Sequence, residues 1–128
     1  MVVKLLKYVW VSPATLLGLI PVTLTVLTGG SARRVRGAIE AWGGFSKWFF
    51  QRALRFGCAL TIGHVIIGVD EYSLTRYRDH EHVHIEQYEK WGIFFIPLYL
   101  GSSLLAKLRG KRCYRDNVFE REAYDRFP

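Results

Sequence analysis

The chain begins with an almost uncharged apolar block. Residues 8–31 contain no charged side chain, and residues 11–27 are apolar enough for a membrane helix of minimal length. Pro13 and Pro21 interrupt this stretch, which weakens a continuous span. We expect residues 1–32 to form an apolar helix that contacts a membrane surface or bilayer through residues 8–31. A buried core helix is the alternative.

The positive charge of the chain is concentrated in its first half. Residues 1–60 carry eight Lys and Arg against one acidic residue, whereas residues 61–128 carry ten of each. Three of these arginines, at positions 33, 34 and 36, follow the apolar block directly and oppose its translocation as a secretory signal. We therefore expect a protein of the cytoplasmic membrane, with residues 33–128 on the cytoplasmic side. No nucleic-acid-binding signature is present, so a nucleic-acid partner is not expected.

Two stretches in the middle of the chain have the composition of β-strands. Residues 34–42 alternate loosely between polar and apolar side chains, and Gly43-Gly44 before residues 45–50 predicts the turn of a β-hairpin. Residues 59–69 are rich in β-branched side chains and predict one strand, whose edge can hold an extended peptide. His64 lies on this strand, where we expect a packed residue with one satisfied ring nitrogen.

The motif His80-Glu81-His82-Val83-His84 has the H-E-x-x-H spacing. On a helix, His80 and His84 are one turn apart on the same face, so both rings can bind one metal ion. Glu81 projects about 100° away from His80, which favours contact with a metal-bound water over direct ligation. We predict a Zn²⁺ site in which Glu81 is the general base. A solvated helix with exposed ion pairs is the structural alternative.

The third metal ligand must come from elsewhere, because catalytic zinc sites usually have three protein ligands and one open position. Downstream of the motif, carboxylates occur in or next to a predicted short helix over residues 117–127; they are Asp116, Glu120, Glu122 and Asp125. Glu120 has a competing role, because Asn117-x-x-Glu120 is also the pattern of a helix capping box.

His80-Glu81-x-x-His84 followed by Glu120-Arg121-Glu122-Ala123 resembles the gluzincin metallopeptidases, in particular the membrane-associated HtpX and CaaX-protease-like group. That resemblance implies His80, His84 and Glu120 as zinc ligands and Glu81 as the base. Apart from the resemblance, Glu122 is the second candidate for the third ligand. The chain departs from the group at Tyr124, where an Asp usually supports a ligand histidine, and it lacks the several membrane helices of those enzymes. The wider pattern over residues 84–123 is similar to small uncharacterised bacterial zincin-like proteins.

Further side chains are candidates for supporting roles around the metal. Gln87 shares the helix face of the two histidines, so we expect it to hydrogen-bond behind them. Three tyrosines are candidates to stabilise an oxyanion, namely Tyr88, Tyr114 and Tyr124. Cys58 and Cys113 lack a C-x-x-C partner and predict no thiolate zinc site; Cys58 is expected in the core.

Residues 91–106 test the metal hypothesis, because they are uncharged and resemble a second membrane span. At 1.5 Å per residue they reach about 24 Å, which is shorter than the hydrocarbon core of a bilayer. A crossing here would separate His84 from Glu120 by the bilayer. The segment must therefore turn back, as a re-entrant or core helix pair or as an apolar face lying on the membrane.

These observations predict an α+β fold with an apolar N-terminal helix and a zincin-like metal-binding domain over residues 33–128. Its minimal core would contain a small β-sheet, the motif helix and a C-terminal helix carrying the glutamate ligand. The expected function is zinc-dependent hydrolysis of peptide bonds in a peptide or protein substrate. The alternatives are a membrane-associated metal-binding or structural protein without turnover, and a basic adaptor at the membrane surface without metal.

Overall fold

The computed structural model describes residues 2–54, 57–111 and 117–126. It is an α+β fold in which a four-stranded mixed sheet packs against helices, and the first of these is the predicted apolar helix. The elements, in chain order, are α1 (Val2–Leu27), β1 (Ser31–Val35), β2 (Ala38–Trp42), α2 (Gly44–Trp48), a π-helical segment (Phe49–Leu54), β3 (Ala59–Ile62), β4 (Val65–Gly68), α3 (Glu71–Trp91), a 3-10 turn (Gly92–Phe94), α4 (Phe95–Leu108) and α5 (Val118–Arg126).

Helix α1 continues through both prolines, so the predicted interruption is wrong. A proline inside a helix removes the N–H that would bond the carbonyl four residues earlier. At Pro13 the freed carbonyl is that of Val9, and the Ser12 hydroxyl donates to it over 2.7 Å. Packing against the rest of the protein holds the helix in addition. Its buried stripe, at helical spacing, consists of Val11, Ala14, Gly18, Val22 and Thr25.

The predicted hairpin of residues 34–42 with residues 45–50 does not form, and a different hairpin lies within residues 31–42. β1 pairs antiparallel with β2, and the turn between them is Arg36-Gly37, both with positive φ (51° and 80°). Such a pair of left-handed residues gives the turn twist that two-residue hairpins favour. Gly43-Gly44 instead leads into α2, and residues 45–50 are helical rather than extended.

The predicted single strand over residues 59–69 is a second hairpin. Gly63, with φ of 64°, reverses the chain between β3 and β4. β4 then pairs parallel with β2, so the strand order is β1-β2-β4-β3 and β3 lies at one edge. The apolar side chains that suggested one strand over residues 59–69 are explained by β4, which is buried on both faces of the sheet.

Helices cover both faces of the sheet. Val65 and Ile67 of β4 pack with Val22 of α1, whereas the intervening Ile66 packs with Leu74 and Ile85 of α3. This alternation is expected of a strand, whose successive side chains point to opposite faces. Because α1 shares a core with the sheet, it is part of the folded body and not a separate appendage.

Side-chain hydrogen bonds hold helix α3 at its start and, farther along, against β2. The Asp70 carboxylate accepts from the backbone N–H of Ser73 over 2.7 Å and caps the helix. Further along, Arg78 makes two hydrogen bonds to the fully buried Glu40 of β2, at 2.8 and 3.1 Å, and Arg33 of β1 makes a third at 3.0 Å. Burial opposes ionisation of Glu40, but the hydrogen bonds from Arg78 and Arg33 lower its pKa overall.

The uncharged stretch after α3 turns back instead of continuing straight. Gly92, with φ of 60°, ends α3, and α4 follows after one 3-10 turn. By length and composition, Val2–Leu27 and the run Glu71–Leu108 could each cross a membrane. That property is shared by membrane helices and buried core helices, so it is weak evidence for membrane association.

Candidate metal centre

The side chains of His80, His84 and Glu120 converge at the centre of the molecule. Oε1 of Glu120 lies 3.1 Å from Nε2 of His80 and 3.1 Å from Nε2 of His84. All three residues are buried, with at most 5% of their surface exposed. Helix α3 supplies the two imidazoles from one face, as its pitch requires, and α5 supplies the carboxylate.

Glu81 lies beside these three side chains and is hydrogen-bonded to the sheet. The hydroxyl of Thr61 on β3 donates to Oε1 of Glu81 over 2.8 Å, while Oε2 of Glu81 is 3.9 Å from Nε2 of His80. His80, Glu81 and His84 each offer a ligand atom within 4.8 Å of the others, so this buried group can bind a metal ion. Glu120 is closer to both imidazoles than Glu81 is to His80, which favours Glu120 as the coordinating carboxylate.

Gln87 fixes the protonation of His84. Its Nε2 donates to the carbonyl of Phe119 over 3.0 Å and to Oε1 of Glu122 over 2.6 Å, so its Oε1 must be the atom that faces His84. Nδ1–H of His84 therefore donates to Gln87 Oε1 over 2.8 Å. In the neutral ring, Nε2 of His84 then presents a lone pair to the carboxylate of Glu120. Two acceptors at this distance require a cation between them, either a proton or a metal ion.

Electrostatics at the site agree with this requirement. Burial alone would lower the pKa of His84, but the hydrogen bond with Glu120 and the charge of Glu81 raise it to about 9. Burial likewise opposes ionisation of Glu120, yet the hydrogen bonds from His80 and His84 lower its pKa to about 2. Burial raises the pKa of Glu81, although the two imidazoles oppose that change. The site therefore stabilises positive charge between the imidazoles and Glu120.

Tyr99 of α4 is a site residue that sequence reasoning missed. Its hydroxyl donates to Oε2 of Glu120 over 2.5 Å, opposite the oxygen that faces the histidines. Burial and the neighbouring carboxylate raise the pKa of Tyr99, which keeps the phenol protonated as a donor. No local pattern marks it, because its position depends on how α4 folds back against α3.

Only the Asn117 half of the predicted capping box is formed at the start of α5. The Asn117 side chain accepts from the backbone N–H of Phe119 over 2.8 Å and so caps α5. Its amide nitrogen donates to the carbonyl of Tyr99 and to the Ser103 hydroxyl, at 2.9 and 2.7 Å, which fixes α5 on α4. Glu120 does not reach back to Asn117, because its Oε1 faces the two histidines and its Oε2 accepts from Tyr99.

The remaining predicted residues fall into three groups. Glu122 contacts Gln87 rather than the histidines, and Asp125 is exposed. Tyr124 packs its ring against His80 at 4.6 Å between centroids, whereas the Tyr88 hydroxyl lies 3.4 Å from the Thr61 carbonyl. Tyr114, Asp116 and Cys113 lie outside the described residues.

Two further predictions concern residues away from the metal group. His64 is buried in the turn between β3 and β4, with Nε2 3.1 Å from Glu89, and no partner for its Nδ1 occurs within the described part of the chain. The prediction of a packed histidine with one satisfied nitrogen is confirmed. Cys58 is half-buried just before β3, so its expected core position is wrong.

A cavity of about 340 Å³ opens beside the metal group. Its floor is formed by polar groups of Glu81, His84 and Glu120, and β3 forms one side. Its other walls are apolar and come from α1 and α4, through Leu17, Phe95, Ile96 and Leu100. The site is thus accessible through a cleft with apolar walls.

Comparison of the chain with protein-family models, with curated proteins and with solved structures gave no match in any of the three. The functional assignment therefore depends on the geometry of the site itself.

Proposed function

We propose that this protein is a zinc-dependent metallopeptidase of the gluzincin type. The observation that carries the proposal is that Nε2 atoms of His80 and His84 both lie 3.1 Å from one carboxylate oxygen of Glu120. Zinc–ligand bonds of about 2.0–2.1 Å in a tetrahedron separate neighbouring ligand atoms by about 3.3 Å. Two imidazoles and one carboxylate are also the ligand set of several catalytic zinc sites.

The surrounding hydrogen bonds support a metal more strongly than the three ligands alone. A ligating imidazole usually donates its other N–H to an oxygen, and His84 does so to Gln87. A ligating carboxylate is usually held by a further donor, and Tyr99 serves Glu120 in this way. His80, His84 and Glu120 would hold the ion. When bound, Zn²⁺ supplies Lewis acidity and lowers the pKa of a coordinated water.

Glu81 is proposed to act as the general base. Its carboxylate is adjacent to the metal group without being its closest oxygen, and Thr61 fixes its orientation. Burial raises the pKa of Glu81, which favours a carboxylate that accepts a proton from water and returns it to the leaving amine.

The cleft supports an extended peptide as the substrate. Within the described residues β3 pairs only with β4, so its outer backbone groups, apart from the Thr61 carbonyl near the Tyr88 hydroxyl, can pair with a peptide strand. The apolar walls supplied by Leu17, Ile96 and Leu100 favour large apolar side chains next to the scissile bond. We further propose action at the cytoplasmic face of the membrane, which the three arginines after α1 favour.

The test is hydrolysis of a fluorogenic peptide library by protein loaded with one equivalent of Zn²⁺. Glu81→Gln is expected to keep the metal and to lower hydrolysis by about 10²–10⁴-fold, the usual contribution of a general base. The matched control is Glu86→Gln, an exposed carboxylate on the same helix. Equal hydrolysis by Glu81→Gln and wild type contradicts the base assignment. Bound zinc without hydrolysis of any library member supports a metal-binding protein without turnover.

A further inference from the structure

We propose that the outward faces of α1 and α4 form a docking surface for an anionic lipid bilayer, on which the protein lies with α1 in the membrane plane. Helix α1 is hydrogen-bonded to the rest of the protein near both of its ends. The Tyr8 hydroxyl donates to the Gly37 carbonyl over 2.7 Å, and the Thr28 hydroxyl accepts from the Phe45 N–H over 2.7 Å. These contacts are 20 residues apart, which is about 30 Å of helix and the full hydrocarbon thickness.

A spanning α1 would therefore carry the sheet into the bilayer with it. The strands beside α1 include the charged side chains of Arg33 and Glu40 and the open edges of β1 and β3. Backbone groups at an open sheet edge have no hydrogen-bonding partner in lipid, which costs several kcal/mol for each group. When α1 lies in the membrane plane, the sheet edges stay outside the hydrocarbon and the outward face of α1 is still covered by lipid.

That outward face is almost entirely apolar. The buried residues of α1 form one stripe, and six leucine and isoleucine side chains outside it retain 40–63% of their surface; they are Leu5, Leu6, Leu16, Leu17, Ile20 and Leu24. α4 adds Phe94 at its start and Leu100, Leu104 and Leu108 along its length, which are 58–75% exposed. Apolar exposure on this scale marks a surface that another apolar phase covers.

The two helices contribute to one continuous surface. The rings of Trp10 on α1 and Phe94 at the start of α4 have centroids 6.3 Å apart, and Trp10 lies against Gly92 at the bend. Farther along, Leu17 and Leu100 line the same cavity from opposite sides. The mouth of the cleft thus lies within the docking surface.

The charge of these segments selects an anionic bilayer over a second copy of the chain. Residues 1–39 and 90–115 contain no acidic side chain. Their cations include Lys4, Lys90, Lys107, Arg109 and Lys111, whereas Lys7 lies 3.9 Å from the carboxylate of Glu89. Two such faces brought together would place like charges opposite each other, whereas a bilayer of anionic lipid attracts each nearby cation by about 1 kcal/mol.

The test is flotation of the full-length protein with vesicles of phosphatidylcholine, with and without 30 mol % phosphatidylglycerol. We expect at least about tenfold tighter binding to the anionic vesicles in 0.1 M salt and progressive loss as salt is added. Leu16→Gln with Ile20→Gln should weaken binding by about tenfold or more, because glutamine keeps the helix and the net charge but removes apolar contact. The control is Tyr72→Gln, 68% exposed at the other side of the molecule beside β1.

The orientation of α1 is tested by the depth of a fluorophore in the bilayer. Leu6 and Leu24 are five helical turns apart on the same outward face. Each is replaced by cysteine and labelled, as Leu6→Cys or Leu24→Cys, in a chain whose two native cysteines are replaced by serine. The ratio of quenching by shallow and by deep spin-labelled lipids should be the same for the two labels, because both positions lie at the same depth. Different depths contradict the in-plane arrangement.

Two further outcomes overturn the proposal. One is unchanged flotation of the Leu16→Gln, Ile20→Gln variant, with circular dichroism showing that it remains folded. The other is a stable dimer in solution that the same substitutions dissociate, since a second copy would then cover the face. None of these measurements depends on zinc or on hydrolysis, so their failure is distinguishable from failure of the proposed function.

Discussion

Oε1 of Glu120 lies 3.1 Å from Nε2 of His84, although 36 residues of chain separate the two side chains. The contact joins α3 to α5 across a buried site, and Gln87 leaves the facing nitrogen without a proton in the neutral ring. A cation at this point therefore has a structural role as well as a chemical one, because it holds the two helices together.

Gln87→Leu is expected to weaken zinc binding by about 10–100-fold, the usual effect of removing the acceptor behind a ligand histidine. The reason is that Nδ1–H of His84 loses its partner, which also frees the ring to rotate. Competition against a chromophoric chelator measures the change. An affinity equal to that of wild type would show that Gln87 does not orient the ligand.

Tyr99→Phe removes only the hydroxyl that donates to Oε2 of Glu120. We expect weaker zinc binding, by about tenfold, because the carboxylate loses the donor that orients it. Tyr72→Phe is the matched control, since the hydroxyl of Tyr72 bonds only to exposed Arg76 in the described structure. The same chelator competition applies, and equal losses in both variants would contradict the role of Tyr99.

Glu40→Gln is expected to destabilise the fold by about 3 kcal/mol, because Arg33 and Arg78 lose the buried negative charge between them, although Arg33 keeps its contact with exposed Glu71. The pKa of Glu40 is lowered from 4.5 in the folded state. Its ionised form therefore stabilises the fold above pH 4.5, and this contribution is lost as the pH falls through the lower folded-state value. Urea unfolding at several pH values should show the difference between wild type and variant shrinking below pH 4.5. A constant difference would contradict the assignment.

Gly18→Ala and Gly101→Ala test whether α1 is docked as described. A Cβ at Gly18 would lie 2.7 Å from the backbone oxygen of Ile62, whereas one at Gly101 meets nothing within 4 Å. We expect Gly18→Ala to destabilise by about 1–3 kcal/mol through overpacking. Gly101→Ala should stabilise by about 0.5–1 kcal/mol, the usual gain of alanine over glycine within a helix. Equal effects on thermal unfolding would show that α1 does not rest on β3.

Features with a local signal were predictable from the sequence. Helical spacing alone placed His80 and His84 on one face and put Gln87 behind them. The Gly63 and Arg36-Gly37 turns were missed, because hydrophobic periodicity does not distinguish one buried strand from two that pair. A different cause applies to α1, where Pro13 predicted an interruption that the Ser12 hydroxyl and packing on the sheet prevent.

Features that depend on tertiary arrangement were less accessible. Glu120 was selected from four carboxylates by resemblance, and its capping alternative could be resolved only when the structure placed Asn117 at the start of α5. Tyr99 gave no signal, since its contact requires the bend at Gly92 and the return of α4 over the site. Such contacts are set by packing between helices, which no short pattern encodes.

The proposed metal centre is tested most directly by the zinc content of purified protein after loading with Zn²⁺. It is measured by elemental analysis for wild type, Glu120→Gln and Glu122→Gln. The two variants remove one carboxylate each from the same helix, but only Glu120 faces the histidines. We predict one zinc per chain in wild type and in Glu122→Gln, and loss of zinc in Glu120→Gln. Wild-type protein free of zinc after loading, or full zinc content in Glu120→Gln, would contradict the proposed metal centre.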